Sequence, residues 1–460
     1  MQFKPFLPYV LFFILLAGAA FALTFNSLDP DFGWHVRTGQ LILERGIPHQ
    51  DWYTFTMPSF AWIDHEWLFN VFMYKAYEFL GIHGMQFLFV VMYTPAFFIL
   101  RKRGQSFWIF SVVTFLAYMA AIDFLGIRPQ VLTPLFVAML LWLVDRFLEK
   151  NSTVIYLVPI LILAWTNLHA SFFAGLFVLG IVIACELLKK SPSKKIFTLI
   201  AIACISFLAT MINPYGLRIY EELFRTIGDS YLKFHITEWN PLFISEFKPL
   251  VVLYISVVVA LAIKQYKKLS FNYLVLSAIF LLLTLSSIRY FFIFAVVSLP
   301  LVLQAATQLS RQIHWHKGAT LLVSGVLVVC FGMYFYQTST QILQAGTKDF
   351  YPSKAVSFLK TLPLSENMFN EYAWGGYLIW QIPERKVFID GRMPSWRQNG
   401  QFVFGDYTDI YEAKPGFEAV LQKYQVSFAV IPHNHLATTL KDIGWNTLYE
   451  DETTLVLKKP

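Results

Sequence analysis

Long apolar stretches, separated by short polar or charged segments, follow one another through most of the chain before residue 340. A helix of about 20 apolar residues can cross the hydrocarbon core of a bilayer. Because that core holds no water, a spanning segment must satisfy its backbone hydrogen bonds internally, as a helix does. The pattern predicts eleven membrane-spanning helices, at residues 6–25, 85–100, 107–125, 131–147, 154–166, 172–188, 196–212, 250–263, 271–285, 290–303 and 319–336.

The pattern changes in the tail of the chain, where short apolar runs rich in β-formers alternate with helix-like stretches. This alternation is typical of a small α/β domain. We expect tail strands at 386–389, 427–431 and 455–457, and tail helices at 352–362, 416–424 and 435–443. The sequence thus predicts a transmembrane domain at 1–339, with long loops at about 26–82 and 213–249, and an α/β domain at 340–460.

Composition supports this fold class of an α-helical polytopic membrane protein. Hydrophobic residues make up 57% of the 460 residues and charged residues only 14%, about half the charged share of a soluble globular chain. Too few polar groups remain to cover a water-soluble particle of this size, so a soluble enzyme and a disordered chain are both excluded. The three cysteines lie in apolar runs and form neither a metal-binding spacing nor a disulfide framework.

The net charge of +7 comes from the part of the chain before residue 340. Basic residues cluster in alternate loops, which by the positive-inside bias are cytoplasmic. We therefore expect a multi-pass protein of the cell (plasma or inner) membrane, with a cytoplasmic N-terminus and with the long loops and the tail outside. The same clusters explain the basic balance without a nucleic-acid partner.

Two carboxylates open the first long loop, Asp29 and Asp31, directly after the first apolar run. Two carboxylates one residue apart can hold a divalent cation such as Mg or Mn, or one of them can act as a general base. The alternative is that Asp29 and Pro30 only cap the amphipathic helix that follows.

The same loop ends in a second polar motif between two tryptophans, formed by Asp64, His65 and Glu66. On a strand, Asp64 and Glu66 would point to one side and His65 to the other. The motif favours a catalytic or ligand site, and the alternative is an aromatic anchor at the membrane interface with solvated charges beside it.

Three further charged residues lie in later outer segments: Glu238 in the second long loop, and Arg128 and Arg289 at outer ends of predicted spans. Arginine on the outer side runs against the positive-inside bias. A guanidinium group can bind a phosphate through two parallel hydrogen bonds. The alternative for Glu238 is a solvated side chain without a role. The alternative for Arg128 and Arg289 is that each only anchors its helix at the membrane interface.

Several of these segments resemble a known family. The segment 29–37, Asp-Pro-Asp-Phe followed by aromatic residues and an arginine, resembles the start of the catalytic subunits of oligosaccharyltransferases, which belong to the GT-C glycosyltransferase superfamily. Segments 235–241 and 288–300 are similar to the family's outer-loop motif with an active-site Glu and to the span whose Arg meets the donor phosphates. Residues 374–379, followed by Arg385 and Asp390, resemble its Trp-Trp-Asp-Tyr-Gly region.

The resemblance implies a GT-C-like membrane glycosyltransferase that moves a sugar from a polyprenyl-phosphate-linked donor to a glycan, lipid or protein acceptor on the outer face. From the residues and the resemblance together, we predict catalysis by Asp29, Asp31, Asp64 and Glu66, donor-phosphate binding by Arg289 and Arg128, substrate binding by Glu238, His65, Trp374 and Tyr377, and binding of a divalent cation by Asp29, Asp31 and Glu238. The position of Asp64, His65 and Glu66 in the first outer loop departs from the family, whose second acidic motif lies in a later, short outer loop. The family's Trp-Trp-Asp is replaced here by Ala-Trp-Gly at 373–375. The resemblance therefore supports the superfamily better than it supports a peptide acceptor.

Two other classes of protein are alternatives to a glycosyltransferase. A lipid or glycan transporter would place charged groups near the middle of the bilayer and often shows internal repeats, whereas this sequence shows no repeat and concentrates its candidates in outer loops. A non-catalytic envelope-glycan assembly protein would not need an acidic first loop, so Asp29→Ala would leave it functional.

Overall fold

A computed structural model of the protein describes residues 7–24, 28–102, 105–246, 248–312 and 350–460, with Gly332 and Tyr336. Its helices in these ranges, without the 3₁₀ turns, are α1 Leu7–Thr24, α2 Phe32–Arg45, α3 Trp67–Tyr93, α4 Ala96–Ile99, α5 Phe107–Ala120, α6 Leu132–Lys150, α7 Val158–Leu168, α8 Phe172–Leu188, α9 Ser193–Ala209, α10 Ile219–Gly228, α11 Leu232–His235, α12 Pro249–Gln265, α13 Phe271–Ser286, α14 Phe291–Gln312, α15 Val356–Leu359, α16 Gly375–Gln381, α17 Val403–Tyr411, α18 Phe417–Lys423 and α19 His435–Asp442. The strands are β1 Asn367–Asn370, β2 Val426–Pro432, β3 Asn446–Glu450 and β4 Thr454–Lys458.

Each of the first ten predicted spans falls on a helix. Apart from Gly332 and Tyr336, the predicted span 319–336 lies outside the described residues. Among the described residues, five helical stretches are long and apolar enough to cross a membrane: Leu7–Thr24, Trp67–Ile99, Pro129–Lys150, Pro249–Lys268 and Ile288–Arg311. Together with the sheet of the tail, they confirm a helical multi-pass membrane protein with a small C-terminal α/β part.

The chain divides into two compact units. The helical unit comprises Met1–Asn26, Ile82–Leu217 and Ser230–Gln341. The mixed unit comprises Ser27–Gly81, Arg218–Asp229 and Ile342–Pro460. The first long loop therefore belongs to the same compact unit as the tail. The predicted division near residue 340 instead separates the two segments. Helix α3 runs from one unit into the other and is kinked at Gly81, whose φ is 64°.

Helix α14 forms the core of the helical unit. It packs against α5, α6, α12 and α13, and nearly all its residues from Phe291 to Leu303 are buried. The Tyr254 hydroxyl of α12 lies 2.9 Å from the Ser298 hydroxyl and donates to the Ala295 carbonyl at 3.1 Å. These contacts satisfy polar groups inside the bundle, where water is excluded. They also hold the start of α14, which begins two residues after Arg289.

The sheet of the mixed unit has the strand order β1-β2-β4-β3, with β1 parallel to β2 and the other pairs antiparallel. The predicted strands 427–431 and 455–457 are confirmed in β2 and β4. The apolar run of β2 reflects burial on both faces.

The expected strand at 386–389 is wrong. In the part of the chain that the structure describes, this segment makes a single bridge, between Val387 and Thr54. The segment lies beside a loop rather than beside another strand. Its apolar side chains are therefore buried, but its backbone does not form the ladder of hydrogen bonds that defines a strand. The sequence also missed β1 and β3, because asparagine and glutamate interrupt their apolar patterns.

Arg392 is the charged centre of the mixed unit. Its side chain is only 3% exposed, and its Nη2 donates to Asp51 at 2.9 Å and to Asp390 at 2.6 Å. The guanidinium group lies over the rings of Tyr53 and Trp62, at 4.7 and 4.4 Å from their centres. Burial lowers the pKa of Arg392, but Asp390 and Asp51 more than reverse this effect, so the group stays charged. This cluster joins the first long loop to the tail.

Replacing Arg392 with methionine is expected to destabilise the protein strongly, because Asp51 and Asp390 would remain buried without their counter-charge. Breaking one side of a buried ion pair costs about 3–5 kcal/mol. Thermal and denaturant unfolding of the purified protein in detergent measure the effect. The matched control is Lys414→Met, which removes a cation from an exposed ion pair and should change stability little. Equal effects of the two variants would contradict a central role for Arg392.

Candidate functional site

The acid pair lies immediately before α2 in the mixed unit. The Asp29 carboxylate accepts a hydrogen bond from the Asp31 backbone N–H at 3.0 Å. The Asp31 carboxylate accepts one from the Trp34 indole at 2.8 Å. Asp31 stands at the N-cap position of α2, but its side chain makes no capping hydrogen bond to the first turn. The two carboxylates are therefore ordered by the segment itself and by Trp34.

The tail packs closely against this acidic segment. The Tyr351 hydroxyl donates to the carbonyl of Leu28 at 2.8 Å. A Cβ at Gly376 would lie 2.3 Å from the carbonyl oxygen of Pro30, and a Cβ at Gly391 would lie 1.8 Å from Oδ1 of Asp31. Both positions therefore admit only glycine without a shift of the acid pair. Sequence reasoning missed Tyr351 and Gly391, and no local pattern links them to residues 28–31.

The second acidic motif forms a turn at the start of α3, which corrects the strand geometry expected for it. The Trp67 N–H donates to the carbonyl of Asp64 at 3.2 Å, and the Glu66 N–H donates to the Asp64 carboxylate at 3.2 Å. The Asn70 side-chain amide donates to both carboxylate oxygens of Asp64, at 3.0 and 2.8 Å. Asp64 and Glu66 are buried, while His65 is partly exposed.

His35 connects α2 to this motif and is a third residue that sequence reasoning missed. Its Nδ1 lies 2.6 Å from the Asn70 side-chain oxygen and 3.8 Å from the Glu66 carboxylate. The only signal in the sequence was its place on the apolar face of an amphipathic helix. The structure thus brings Asp64 and Glu66 into one buried polar network with His35, His65 and Asn70.

Burial sets the protonation of this network. Burial raises the pKa of Asp64 to about 7. Burial lowers the pKa of His35. Burial also opposes the charge on His65, but the Glu66 carboxylate reverses this effect and raises its pKa to about 9. Near neutral pH, His65 is therefore protonated, while Asp64 can take up or release a proton.

The helical unit carries the second set of predicted residues. Arg289 donates to one oxygen of Glu238 at 2.7 Å, and Arg128 donates to the other at 3.3 Å. The Arg289 guanidinium group lies 4.7 Å from the ring centre of Trp239. The Ile288 N–H donates to the carbonyl of Asn240 at 2.9 Å, so backbone contacts hold the glutamate loop beside the start of α14. Burial raises the pKa of Glu238, but the two guanidinium groups outweigh it and lower the pKa.

The two aromatic residues expected to bind substrate differ in their surroundings. Trp374 is 2% exposed and donates from its indole to the carbonyl of Phe350 at 2.8 Å. Trp374 therefore packs inside the mixed unit, and its contact with substrate stays a prediction. Tyr377 is partly exposed and stacks on Tyr351, with ring centres 4.7 Å apart. Tyr377 remains accessible next to the acidic segment.

A divalent cation was expected on Asp29, Asp31 and Glu238. Among the described residues, no three His, Cys, Asp or Glu side chains are grouped closely enough to hold a metal ion. Glu238 is bonded to two guanidinium groups, which makes it a poor cation ligand. Asp29 and Asp31 offer the carboxylate oxygens that Mg and Mn prefer, so the acid pair fits a cation better than Glu238 does.

The fold is similar to solved membrane enzymes. The archaeal oligosaccharyltransferase AglB from Archaeoglobus fulgidus, solved with an inhibitory peptide and a dolichol-phosphate, aligns with a TM-score of 0.62 and 11% identity over 100% of this chain and 75% of that one. ArnT from Cupriavidus metallidurans, bound to undecaprenyl phosphate, aligns with a TM-score of 0.56 and 12% identity over 98% and 97%. An Archaeoglobus fulgidus oligosaccharyltransferase structure with Zn and sulfate aligns with a TM-score of 0.57 and 11% identity over 92% and 68%.

No protein-family profile matches the chain, and no curated protein matches it by sequence. The structural similarity confirms that the chain has the fold of these proteins, in agreement with the resemblance of its short motifs. At 11–12% identity, the similarity shows the fold alone.

Asp64 is expected to make stability depend on pH. Its pKa is higher in the folded protein than its ordinary value of 3.8, so the folded state binds the proton more tightly. The resulting stabilisation is fully present below about pH 4 and is lost as the pH rises through about 7. Asp64→Asn, which resembles the protonated carboxyl group, should flatten this decline in the unfolding free energy. The exposed acid variant Glu412→Gln is the control, and an unchanged slope in Asp64→Asn would refute the shifted pKa.

Proposed function

We propose that the protein is a GT-C-type membrane glycosyltransferase that uses a polyprenyl-phosphate-linked sugar donor. The observation that carries this proposal is the convergence of Arg128 and Arg289 on the single carboxylate of Glu238. Two guanidinium groups and one carboxylate leave a net positive charge at the end of a membrane helix bundle. A phosphate attached to a lipid chain fits that charge, and two proteins of similar fold have been solved with polyprenyl phosphates.

In this proposal Arg289 and Arg128 bind the donor phosphate, and Glu238 positions them. A guanidinium group carries five N–H donors, so the bond to Glu238 leaves Arg289 further donors for phosphate oxygens. The face of Trp239 restricts the Arg289 side chain further. Arginines already held in place lose less freedom on binding, which favours affinity. The substrate-binding role expected for Glu238 thereby becomes an indirect one.

Asp29 is the proposed general base, and Asp31 supports it. The acceptor's nucleophilic group attacks the anomeric carbon of the donor sugar and loses its proton to Asp29. The bond between the anomeric carbon and the phosphate oxygen breaks, and the polyprenyl phosphate leaves with the bonding electrons. Tyr351, Gly376 and Gly391 keep the acid segment in place. A positioned general base accelerates a reaction about a hundredfold to ten-thousandfold.

A divalent cation would be held by Asp29 and Asp31, and it would supply screening of the negative charge that develops on the leaving phosphate. Asp64 and Glu66, which contact His35 and Asn70, are proposed to form a buried network that can take up or release a proton during catalysis. We further propose that the acid pair, the arginines and the tail face outward and that the N-terminus is cytoplasmic. The distribution of basic loops supports this orientation. Glycan, lipid and protein acceptors all remain compatible with these residues.

Asp29→Asn is expected to lower turnover about a hundredfold or more, because an amide cannot accept the proton. Stability should change little, since the amide oxygen can still accept the bond from the Asp31 N–H. Release of polyprenyl phosphate from a panel of polyprenyl-phosphate sugars, with the protein reconstituted in vesicles, measures turnover. Asp409→Asn, an exposed acid of the tail, is the control.

Wild-type turnover retained by Asp29→Asn would move the catalytic role away from this residue. Absence of turnover in the wild type across donors and acceptors would favour the non-catalytic assembly protein.

Arg289→Lys is expected to weaken binding of a short-chain polyprenyl phosphate about tenfold, because an ammonium group keeps the charge but loses the planar pair of donors. Binding is measured by titration of the purified protein in detergent, with the unfolding temperature as a check on folding. Arg218→Lys, at an exposed arginine, should bind the lipid like the wild type. Normal binding by Arg289→Lys and also by Arg289→Ala would show that Arg289 only anchors the start of α14.

A further inference from the structure

A cavity of about 480 Å³ opens in the helical unit, remote from the arginine pair. Three cations line it: Lys102 after α4, Lys189 after α8, and Arg311 in the last turn of α14. Two acids, Asp145 and Glu149, line it from the last turns of α6. Ligand-binding pockets commonly have volumes of about 300–1,000 Å³, so the cavity has room for a polar group of several heavy atoms.

The cavity lies at the opposite end of the bundle from the arginine pair. Helix α14 starts just after Arg289 and reaches the cavity at Pro300, which at 1.5 Å per residue is about 14 Å further along the helix. Helix α13 runs the other way, from Asn272 at the cavity to Ser286 near Arg289. Charged residues at the ends of spans lie at the depth of lipid headgroups. The cavity therefore faces the headgroup layer of the other leaflet.

Some of the cations that line this cavity form ion pairs with acidic residues in or beside its wall. Lys102 donates to Glu149 and lies 3.7 Å from Asp145. Lys189 bonds to Glu186 just behind the wall. The Tyr273 hydroxyl donates to Asp145 at 2.9 Å. Both signs of charge thus lie within one cavity, which favours a ligand that itself carries both signs.

Two residues that line the cavity, Asn272 and Gln308, each hold a buried amide oxygen that lacks a hydrogen-bond donor. The Asn272 amide nitrogen donates to Glu186 at 2.8 Å, and its oxygen is buried without a partner among the described residues. The Gln308 amide nitrogen donates to the carbonyl of Lys268 at 3.0 Å. The Gln308 side-chain oxygen is likewise buried without a partner among the described residues. A buried acceptor without a donor costs about 1–3 kcal/mol. Asn272 is 92% buried, its exposed fraction being 8%.

We propose that this cavity binds the headgroup of an aminophospholipid, one that carries a phosphate and a primary ammonium group. The phosphate is bound by the basic side of the cavity, at Lys102 and Arg311. The charge of the ammonium group complements Asp145. Its N–H groups supply the donors that the oxygens of Asn272 and Gln308 lack, once these two side chains turn toward the bound ligand. A choline headgroup has the same charges but no N–H donor, and a glycerol headgroup has hydroxyl donors but no cation.

The test compares three lipids with identical acyl chains, phosphatidylethanolamine, phosphatidylcholine and phosphatidylglycerol, bound to the delipidated full-length protein in detergent. Native mass spectrometry or titration with a labelled acyl chain gives the dissociation constants. We expect phosphatidylethanolamine to bind about tenfold more tightly than the other two, because charge-assisted hydrogen bonds contribute about 1.5–3 kcal/mol each. Equal binding of the ethanolamine and choline lipids would overturn the proposal.

Variants separate this site from general lipid binding. Gln308→Leu should weaken phosphatidylethanolamine about tenfold and leave phosphatidylcholine unchanged, and Arg311→Gln should weaken all three lipids. Lys194→Gln, an exposed cation outside the cavity wall, should change none of them. If phosphatidylglycerol binds most tightly and Gln308→Leu has no effect, the cavity is a site for anionic lipids and the proposal is wrong. The readout is binding alone, so it does not depend on sugar transfer.

Discussion

The buried charge of Arg392 is the interaction on which the mixed unit depends. A guanidinium group that is 3% exposed can persist only with its counter-charges beside it. Those counter-charges are Asp51 from the first long loop and Asp390 from the tail, some 340 residues apart along the chain. The loop and the tail are therefore parts of one folded body. Trp34, one of the rings around Arg392, also donates to Asp31, so the acid pair depends on the same core.

A second constraint acts on the acid pair through the backbone. Gly376 and Gly391 lie so close to residues 30 and 31 that a methyl group would overlap them. Tyr351 fixes the carbonyl of Leu28. Reactive groups held by rigid neighbours need less rearrangement during a reaction, which lowers its barrier. The tail thus contributes order to the acid pair even where its own side chains touch no substrate.

The arginine pair in the helical unit is ordered by electrostatics in the same way. Glu238 neutralises part of the charge of Arg128 and Arg289 and holds both groups at a set separation. An arginine at the outer end of a span was predicted from the sequence as either a phosphate ligand or an anchor. The shared carboxylate favours the first role, because an interface anchor would need no partner. The cavity at the other end of α14 is also lined by charges of both signs, three cations and two acids.

The sequence by itself determined the ten predicted spans that fall on described helices, the α/β character of the tail and the order of the short GT-C-like motifs. Hydrophobic period and residue type are local properties, so the sequence alone carries them. It did not determine the geometry of Asp64, which sits in a turn that hydrogen bonds from Asn70 complete. It also missed His35, Tyr351 and Gly391, whose roles come from neighbours distant in the chain. Only the tertiary structure decides which charges share a buried environment, since burial and pairing depend on the packing of segments that no local pattern connects.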